Sequence, residues 1–340
     1  MTTPLGSKLH PALRVVAHLL GRVAAKNAPA AAQDSGLITA ADGNPTGGGT
    51  NLIARLMVRR APKLPVHDEW IVREDGTRLQ VRVTTPRVTG LRAVIVHAHG
   101  GGYRVGSAAE SDTHCATLAD AVGAVVISVE YRMLPDYPYP AALHDMQTTL
   151  RWLMDNQEHL GIDPSRIALT GGSAGGNLAL ATALDWPAGV PAPASLALAE
   201  PWLDMSAELV APPGTEALYA PFLVHEEAGR DAFTNGIAFD DPRVSPGLAT
   251  DVSFLPPTAV FVGDLDIILP QQLPFVEKLR KQGVQATLHV FPGLIHGTCV
   301  LTRLAPAREY ELAMIAHLRS ELVVPYTRST VAPGVKETSS

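Results

Sequence analysis

This sequence lacks several features that would point to particular classes of protein. It has only two cysteines in 340 residues, too few for a disulfide framework. Its 27 Lys and Arg are outnumbered by 33 Asp and Glu, and the net charge of −6 gives no electrostatic basis for binding nucleic acid or an anionic membrane. No apolar run approaches the ~20 residues that span a bilayer. These absences favour a cytoplasmic protein without a membrane span.

The two ends of the chain differ in composition from the middle. Residues 13–20 are apolar but interrupted by Arg and His, so an amphipathic helix over about 9–26 is a better interpretation than a secretory leader. A segment rich in Ala, Pro and Gly follows, and a second helical segment is predicted near 51–60. The polar residues 326–340 are predicted to be disordered.

Between these ends, apolar runs alternate with helical patterns. Residues 68–84 are predicted to form a hairpin around Glu74-Asp75-Gly76. Further buried strands are predicted at 92–98, 124–130, 166–170, 195–199, 258–262 and 286–291. Helices are predicted at 140–156, 269–282 and 306–321. This alternation predicts an α/β fold with a mostly parallel sheet and helices on both faces. Residues 204–250, rich in Pro, Gly and Asp, interrupt the alternation and are predicted to be an insertion.

The segment Gly171-Gly172-Ser173-Ala174-Gly175 has the pattern of a nucleophile elbow. Such a pattern occurs by accident in about one chain of this length in ten, so its flanks matter. A short apolar run over 166–170 precedes it, and residues compatible with a helix follow it. The alternative is a glycine-rich turn between a strand and a helix. The flanks favour Ser173 as a nucleophile that forms an ester intermediate.

A serine nucleophile needs a base and a carboxylate that orients the base. His296 follows the last predicted strand, and Asp264 and Asp266 follow the strand before it. The order Ser173, Asp266, His296 is the one that the elbow motif requires. His296 has the alternative of being an ordinary surface histidine, and either aspartate could instead cap a helix or bind a loop backbone.

The segment His99-Gly100-Gly101-Gly102 follows the strand predicted at 92–98. Consecutive glycines let backbone N–H groups approach a substrate oxygen closely, which an oxyanion hole requires. The expected donors are the N–H groups of Gly101, Gly102 and Ala174, and His99 is expected to brace the loop. A flexible glycine turn is the alternative.

Together with these motifs, further segments make the chain resemble the hormone-sensitive-lipase-like branch of the α/β-hydrolases. The additional segments are Glu130-Tyr131-Arg132-Met133-Leu134-Pro135 and Tyr137-Pro138-Tyr139-Pro140-Ala141-Ala142-Leu143-His144-Asp145. The similarity covers roughly residues 65–322. It implies an α/β-hydrolase core at 65–325 and a helical cap built from residues 1–64 and the lid-like insertion 204–250. The acid of this family usually lies in an Asp-Pro-Leu segment, which aligns with Asp266-Ile267-Ile268 and favours Asp266.

The chain departs from the family pattern at the elbow, where Gly172 replaces a frequent aspartate. Tyr103 and Trp202 either line the acyl pocket and bind substrate or belong to the core. Glu200, at a strand end, is either a substrate contact or a salt-bridged structural acid, and the structural role is favoured. Cys299, three residues after His296, is expected to be a packed thiol, with a place near the site as the alternative.

These residues predict a serine carboxylesterase that hydrolyses small to medium acyl esters through an acyl-enzyme intermediate. The expected partner is a small-molecule ester, no metal or organic cofactor is required, and the resemblance permits a homodimer. A lactone hydrolase or a small-molecule deacetylase would use the same triad. A non-catalytic ligand receptor on the same fold is the remaining alternative.

Overall fold

The computed structural model describes residues 9–11, 56–224 and 226–323. Within this part of the chain, eight strands form one sheet in the order β1-β2-β4-β3-β5-β6-β7-β8. β1 and β2 pair antiparallel, β2 pairs antiparallel with β4, and the remaining neighbours are parallel. The strands are β1 (Val66–Val72), β2 (Arg78–Thr84), β3 (Arg92–Ala98), β4 (Val125–Val129), β5 (Ile162–Gly172), β6 (Ser195–Ala199), β7 (Thr258–Gly263) and β8 (Ala286–Phe291).

Helices connect most of the parallel strands, as crossover connections require. They are α1 (Asp112–Val122), α2 (Ala141–Asp155), α3 (Gln157–Leu160), α4 (Ala174–Leu184), α5 (Glu216–Val224), α6 (Glu226–Thr234), α7 (Leu269–Lys281) and α8 (Ala305–Leu322). None of the helices in the described residues is long and apolar enough to cross a membrane.

The sheet separates two apolar clusters. Along β3, Val94 and Val96 belong to the cluster covered by α2, α4 and α7, whereas Ala93 and Ile95 belong to the cluster covered by α1 and α8. Successive side chains of a strand point to opposite faces, so a continuous apolar run is what a sheet buried on both faces needs. The predicted sheet with helices on both faces is confirmed.

The hairpin predicted over 68–84 is confirmed as β1 and β2, with Gly76 at φ 79° in the turn. The strand predicted at 166–170 is longer, because β5 starts at Ile162. Residues 163–165 form an irregularity inside this strand, where the pairing with β3 shifts register. The amide of Ser165 donates to Asp163 Oδ1 there, so the aspartate stabilises the local turn.

The insertion 204–250 contains α5 and α6, which its composition did not indicate. Most of the helix predicted over about 9–26, most of the segment 1–64 and all of the tail 326–340 lie outside the described residues. The predicted division into a cap and a core therefore stays a prediction.

Candidate active site

Ser173 lies on the turn between β5 and α4 with φ 54° and ψ −117°, a conformation that is rare for a residue with a side chain. Strained backbone of this kind persists only where the surroundings hold it. The amide of Ser173 donates to the carbonyl of Ala199 at 2.9 Å, and its carbonyl accepts the amides of Asn177 and Trp202. The turn thus holds the Ser173 side chain clear of the helix that follows.

The small residues around Ser173 have a steric reason. A Cβ at Gly171 would collide with the carbonyl of Gly175, and a Cβ at Gly175 would collide with the carbonyls of Ala98 and His99. Gly172 is different, because the nearest atom to a Cβ there is the Cβ of Ala199 at 3.9 Å. Space therefore requires glycine at 171 and 175 but not at 172.

The structure brings Ser173, His296 and Asp266 together. Ser173 Oγ lies 2.8 Å from His296 Nε2, and His296 Nδ1 lies 3.0 Å from both carboxylate oxygens of Asp266. His296 and Asp266 are buried. Asp266 Oδ1 also accepts the amide of Ile268 at 3.0 Å, which fixes the carboxylate at the start of α7. In this spatial order, a carboxylate and an imidazole can activate the serine hydroxyl as a nucleophile.

Asp264 has a different place. Its Oδ1 accepts the amide of Gly293 at 2.7 Å, so it ties the end of β7 to the loop that carries His296. The Asp264 carboxyl is half-buried, and burial raises its pKa. The two aspartates left open by the sequence thus contact different parts of the histidine loop.

The glycine loop after β3 lies beside the nucleophile. A Cβ at Gly100 would lie 3.8 Å from Ser173 Cβ and 3.1 Å from the carbonyl oxygen of Gly172, and the second distance is tight, so glycine suits this close approach. Gly101 has φ 114°, and its carbonyl oxygen accepts hydrogen bonds from the amides of Arg104 and Val105, which closes the loop into a turn. Gly102 follows at φ 61°, and Ala174 is the first residue of α4.

His99 supports this loop from behind. Its Nδ1 lies 2.8 Å from the carbonyl oxygen of Gly100, and Tyr131 stacks on its ring and donates its hydroxyl to the His99 carbonyl. Burial lowers the pKa of His99 to about 4, so the ring is neutral near pH 7.

A cavity of about 110 Å³ opens beside Ser173. Gly100, Gly101 and Glu200 line it, as do His97 and His114. Burial lowers the pKa of both histidines, to about 4 for His114, so these two imidazoles are uncharged near pH 7.

Residues 95–300 match the model of a family described as alpha/beta hydrolase fold. The chain belongs to this family. The carboxylesterase NlhH of Mycobacterium tuberculosis is 34% identical over 259 residues, which cover 72% of this chain and 79% of that protein. The ethyl acetate hydrolase of Pseudomonas putida is 31% identical over 242 residues, 68% of this chain and 74% of that protein.

Among solved structures, the hyperthermophilic esterase from the archaeon Pyrobaculum calidifontis superposes with a TM-score of 0.76 at 29% identity. The match covers 92% of this chain and 98% of that one. Together with the family match, these relatives confirm the predicted membership of the hormone-sensitive-lipase-like branch.

Tyr103 and Trp202 are both buried, and neither lines the cavity beside Ser173. The Tyr103 hydroxyl donates to Asn177 Oδ1 at 2.7 Å, and its ring stacks on Phe233 of α6. The indole of Trp202 donates to the carbonyl of Asp204. The contacts of Tyr103 join the glycine loop to the insertion.

Tyr219, on α5, is a residue that the sequence did not single out. Its hydroxyl donates to the carbonyl of Leu265 at 2.9 Å and accepts the amides of His296 at 2.9 Å and Ile267 at 3.2 Å. One phenol therefore joins the loop of the acid to the loop of the histidine. A tyrosine in an irregular insertion gives no sequence signal of such a role.

Glu200 completes the cluster. Its Oε1 accepts the amide of Gly297 at 2.8 Å, and the Cys299 thiol lies 3.5 Å away. Burial is the main cause that raises the pKa of Glu200 to about 8, and the neighbouring Asp266 raises it further. In the described part of the chain, Glu200, Asp266 and His296 are the group whose ligand-type atoms have metal-like spacing, all within 4.8 Å. The facing atoms of Asp266 and His296 are hydrogen-bonded to each other, which suits a triad better than a metal site.

Proposed function

We propose that this protein hydrolyses small to medium acyl esters through an acyl-enzyme intermediate on Ser173. The chain is a carboxylic ester hydrolase of the serine type, and the proposal adds the residues and the substrate range. The observation that carries it is the continuous chain of contacts from Ser173 Oγ through both nitrogens of His296 to Asp266.

In the first half-reaction, Ser173 Oγ attacks the ester carbonyl while His296 Nε2 takes the hydroxyl proton. Asp266 holds the Nδ1–H tautomer of His296 and stabilises the imidazolium. The oxyanion is held by the N–H groups of Gly101, Gly102 and Ala174. His296 then passes the proton to the leaving alcohol, which departs and leaves an ester on Ser173.

In the second half-reaction, His296 takes a proton from water, and the resulting hydroxide attacks the acyl carbon. Return of the proton to Ser173 Oγ releases the carboxylic acid. The acyl group occupies the cavity next to Ser173. The volume of this cavity, about 110 Å³, is small compared with the ~300 Å³ or more of a pocket that encloses a drug-sized ligand. A short acyl chain fits such a space, and a long fatty chain does not.

A hydrolysis profile over p-nitrophenyl esters of increasing acyl length tests this proposal, with Ser173→Ala as the matched control. Short esters should be preferred, and the variant should lose on the order of 10⁶-fold in kcat. Unchanged turnover by the variant would contradict the proposal. If lactones or aryl acetamides were hydrolysed faster than esters, the proposed substrate class would be wrong, whereas the proposed triad would stand. Failure of a fluorophosphonate to label Ser173 would favour a ligand receptor.

We also propose a cytoplasmic location and a homodimer. The location is supported by Cys115 and Cys299, neither of which is in a disulfide. The homodimer is supported by the family resemblance. Light scattering on the purified protein measures its mass in solution, and a value near 36.0 kDa would reject the dimer.

A further inference from the structure

Glu200 is the first residue after β6 and is buried at the centre of the site. Its backbone has φ 37°, which is uncommon for a residue with a side chain. Its amide donates to the carbonyl of Phe261 on β7, and the preceding residue, Ala199, accepts the amide of Ser173. The end of β6 therefore supports the nucleophile through its backbone and places the Glu200 carboxyl beside the other two members of the triad.

The side chain of Glu200 contacts the support of the base. Its Oε1 accepts the amide of Gly297, the residue that follows His296. Its carboxyl also lies within 4.8 Å of the ligand-type atoms of Asp266 and His296, close enough for Asp266 to raise the pKa of Glu200. One carboxyl group thus reaches both the loop that carries the base and the carboxylate that orients the base.

The two carboxyl groups have different hydrogen-bond partners. Asp266 accepts hydrogen bonds from His296 and from the amide of Ile268. Glu200 accepts one backbone amide and a weak thiol donor. Within the described residues, no Lys or Arg forms a salt bridge with it. Burial, together with the neighbouring Asp266, raises the pKa of Glu200 to about 8, so Glu200 keeps its proton near neutral pH.

The remaining titratable neighbours agree with this assignment. Tyr219 and Tyr310 face the same cluster, and burial raises the pKa of both phenols well above its usual value. Both phenols are neutral near pH 7. The third neighbour of Glu200 is the thiol of Cys299. Among these groups, His296 is the one that is positively charged when it is protonated.

We propose that Glu200 is a positioning residue of the triad: as a neutral acid it binds the Gly297 amide with one oxygen and shares its proton with Asp266 through the other. This inference rests on the proposed function, since it takes His296 as the base. The shared proton holds the Asp266 carboxylate towards His296 Nδ1, and the bond to Gly297 holds the histidine loop. Neither contact adds a second negative charge beside the imidazole.

Two variants of similar size separate this role from a purely structural one. In Glu200→Gln the amide oxygen can accept the Gly297 amide and the NH₂ group can donate to Asp266, without charge. In Glu200→Met the volume is kept and both hydrogen bonds are lost. We expect E200Q to retain kcat within about threefold at pH 7. For E200M we expect a loss on the order of 10-fold to 100-fold in kcat with KM little changed, because the base is misplaced.

The acid limb of the pH–kcat/KM profile reports the charge of Glu200. If Glu200 is neutral, the apparent pKa of that limb is the same in E200Q and in the wild type. If Glu200 is ionised, removing its charge lowers the apparent pKa by about one unit, since a nearby anion favours the imidazolium. Such a shift overturns the proposal, as does wild-type kcat in E200M. If E200M does not fold, the acid limb of E200Q decides alone.

The Ser173→Ala control keeps the two proposals apart. Turnover that survives S173A rejects the proposed function, and the Glu200 inference with it. Turnover lost in S173A but retained in E200M rejects the role of Glu200 and leaves the proposed function intact.

Discussion

The hydroxyl of Tyr219 accepts the backbone amide of His296 at 2.9 Å and donates to the carbonyl of Leu265, the residue before Asp266, at 2.9 Å. The base and its carboxylate come from loops after different strands, and this phenol bridges them. The bridge comes from α5, in the insertion, so the alignment of the triad depends on a segment outside the alternating strands and helices.

Tyr219→Phe should lower kcat by about 10-fold with a small change in KM, because the base loses alignment while the cavity is unchanged. It also leaves two buried amides and one carbonyl without this partner, so Tm should fall by several degrees. Steady-state kinetics and thermal melts check both effects. Tyr137→Phe is the control, since Tyr137 is exposed and should tolerate the change. Equal kcat in the two variants would show that the bridge does not matter to turnover.

Asp266→Asn and Asp264→Asn form a matched pair, two residues apart. The first change leaves a group of the same shape that no longer favours the required tautomer of His296, so kcat should fall by about 10⁴-fold. The second removes charge from the carboxyl that accepts the Gly293 amide, and we expect less than about 10-fold. Single-substrate kinetics on a short p-nitrophenyl ester distinguish them. A larger loss in D264N than in D266N would reverse the assignment of the acid.

Gly172→Ala should keep kcat within about threefold, because its Cβ would meet only Ala199 at 3.9 Å. Gly175→Ala should lose most activity, since its Cβ collides with backbone carbonyls that cannot move without shifting the glycine loop. Activity and circular dichroism of the two proteins give the comparison. Inactivity of well-folded G172A would mean that the elbow needs glycine there for a reason other than space.

Glu200 predicts a dependence of stability on pH. Its pKa is about 8 in the folded protein, against 4.5 as its ordinary value. Between these values the folded protein keeps a proton that the unfolded chain has released, so the free energy of unfolding falls as pH rises. Glu200→Gln removes this contribution, and its Tm relative to wild type should rise from about pH 5 to about pH 8 and then level off. A difference that is constant with pH would mean that Glu200 is ionised when folded.

Cys299 predicts sensitivity to a small thiol reagent. Its thiol lines the cavity beside Ser173 and lies 3.5 Å from Glu200, whereas Cys115 is buried in the core. Methyl methanethiosulfonate should therefore lower activity by filling the cavity, and Cys299→Ser should abolish this effect. Inactivation that persists in C299S would show that the reagent acts on another group, and Cys115→Ser would then test whether that group is Cys115.

The sequence predicts most of the sheet and the order of Ser173, Asp266 and His296, because these depend on local patterns. Apolar runs become buried strands, and glycines occur where the backbone must approach closely. The two residues that support the triad give no such pattern. Tyr219 lies in a helix that contains Pro221 and has no apolar periodicity. Such a sequence predicts a loop, because proline disfavours the interior of a helix. Glu200 stands out as an acid at a strand end, but its partners at 266 and 297 are distant in the chain.

The insertion contacts the site through Tyr219 on α5 and through Phe233 of α6, which stacks on Tyr103. A lid that swings aside at an oil–water interface would have to break these contacts and would misalign the base as it opened. We therefore expect no interfacial activation. The rate should saturate with dissolved monomeric ester and show no jump when the substrate begins to form an emulsion, which sets this molecule apart from lipases that switch on at droplets.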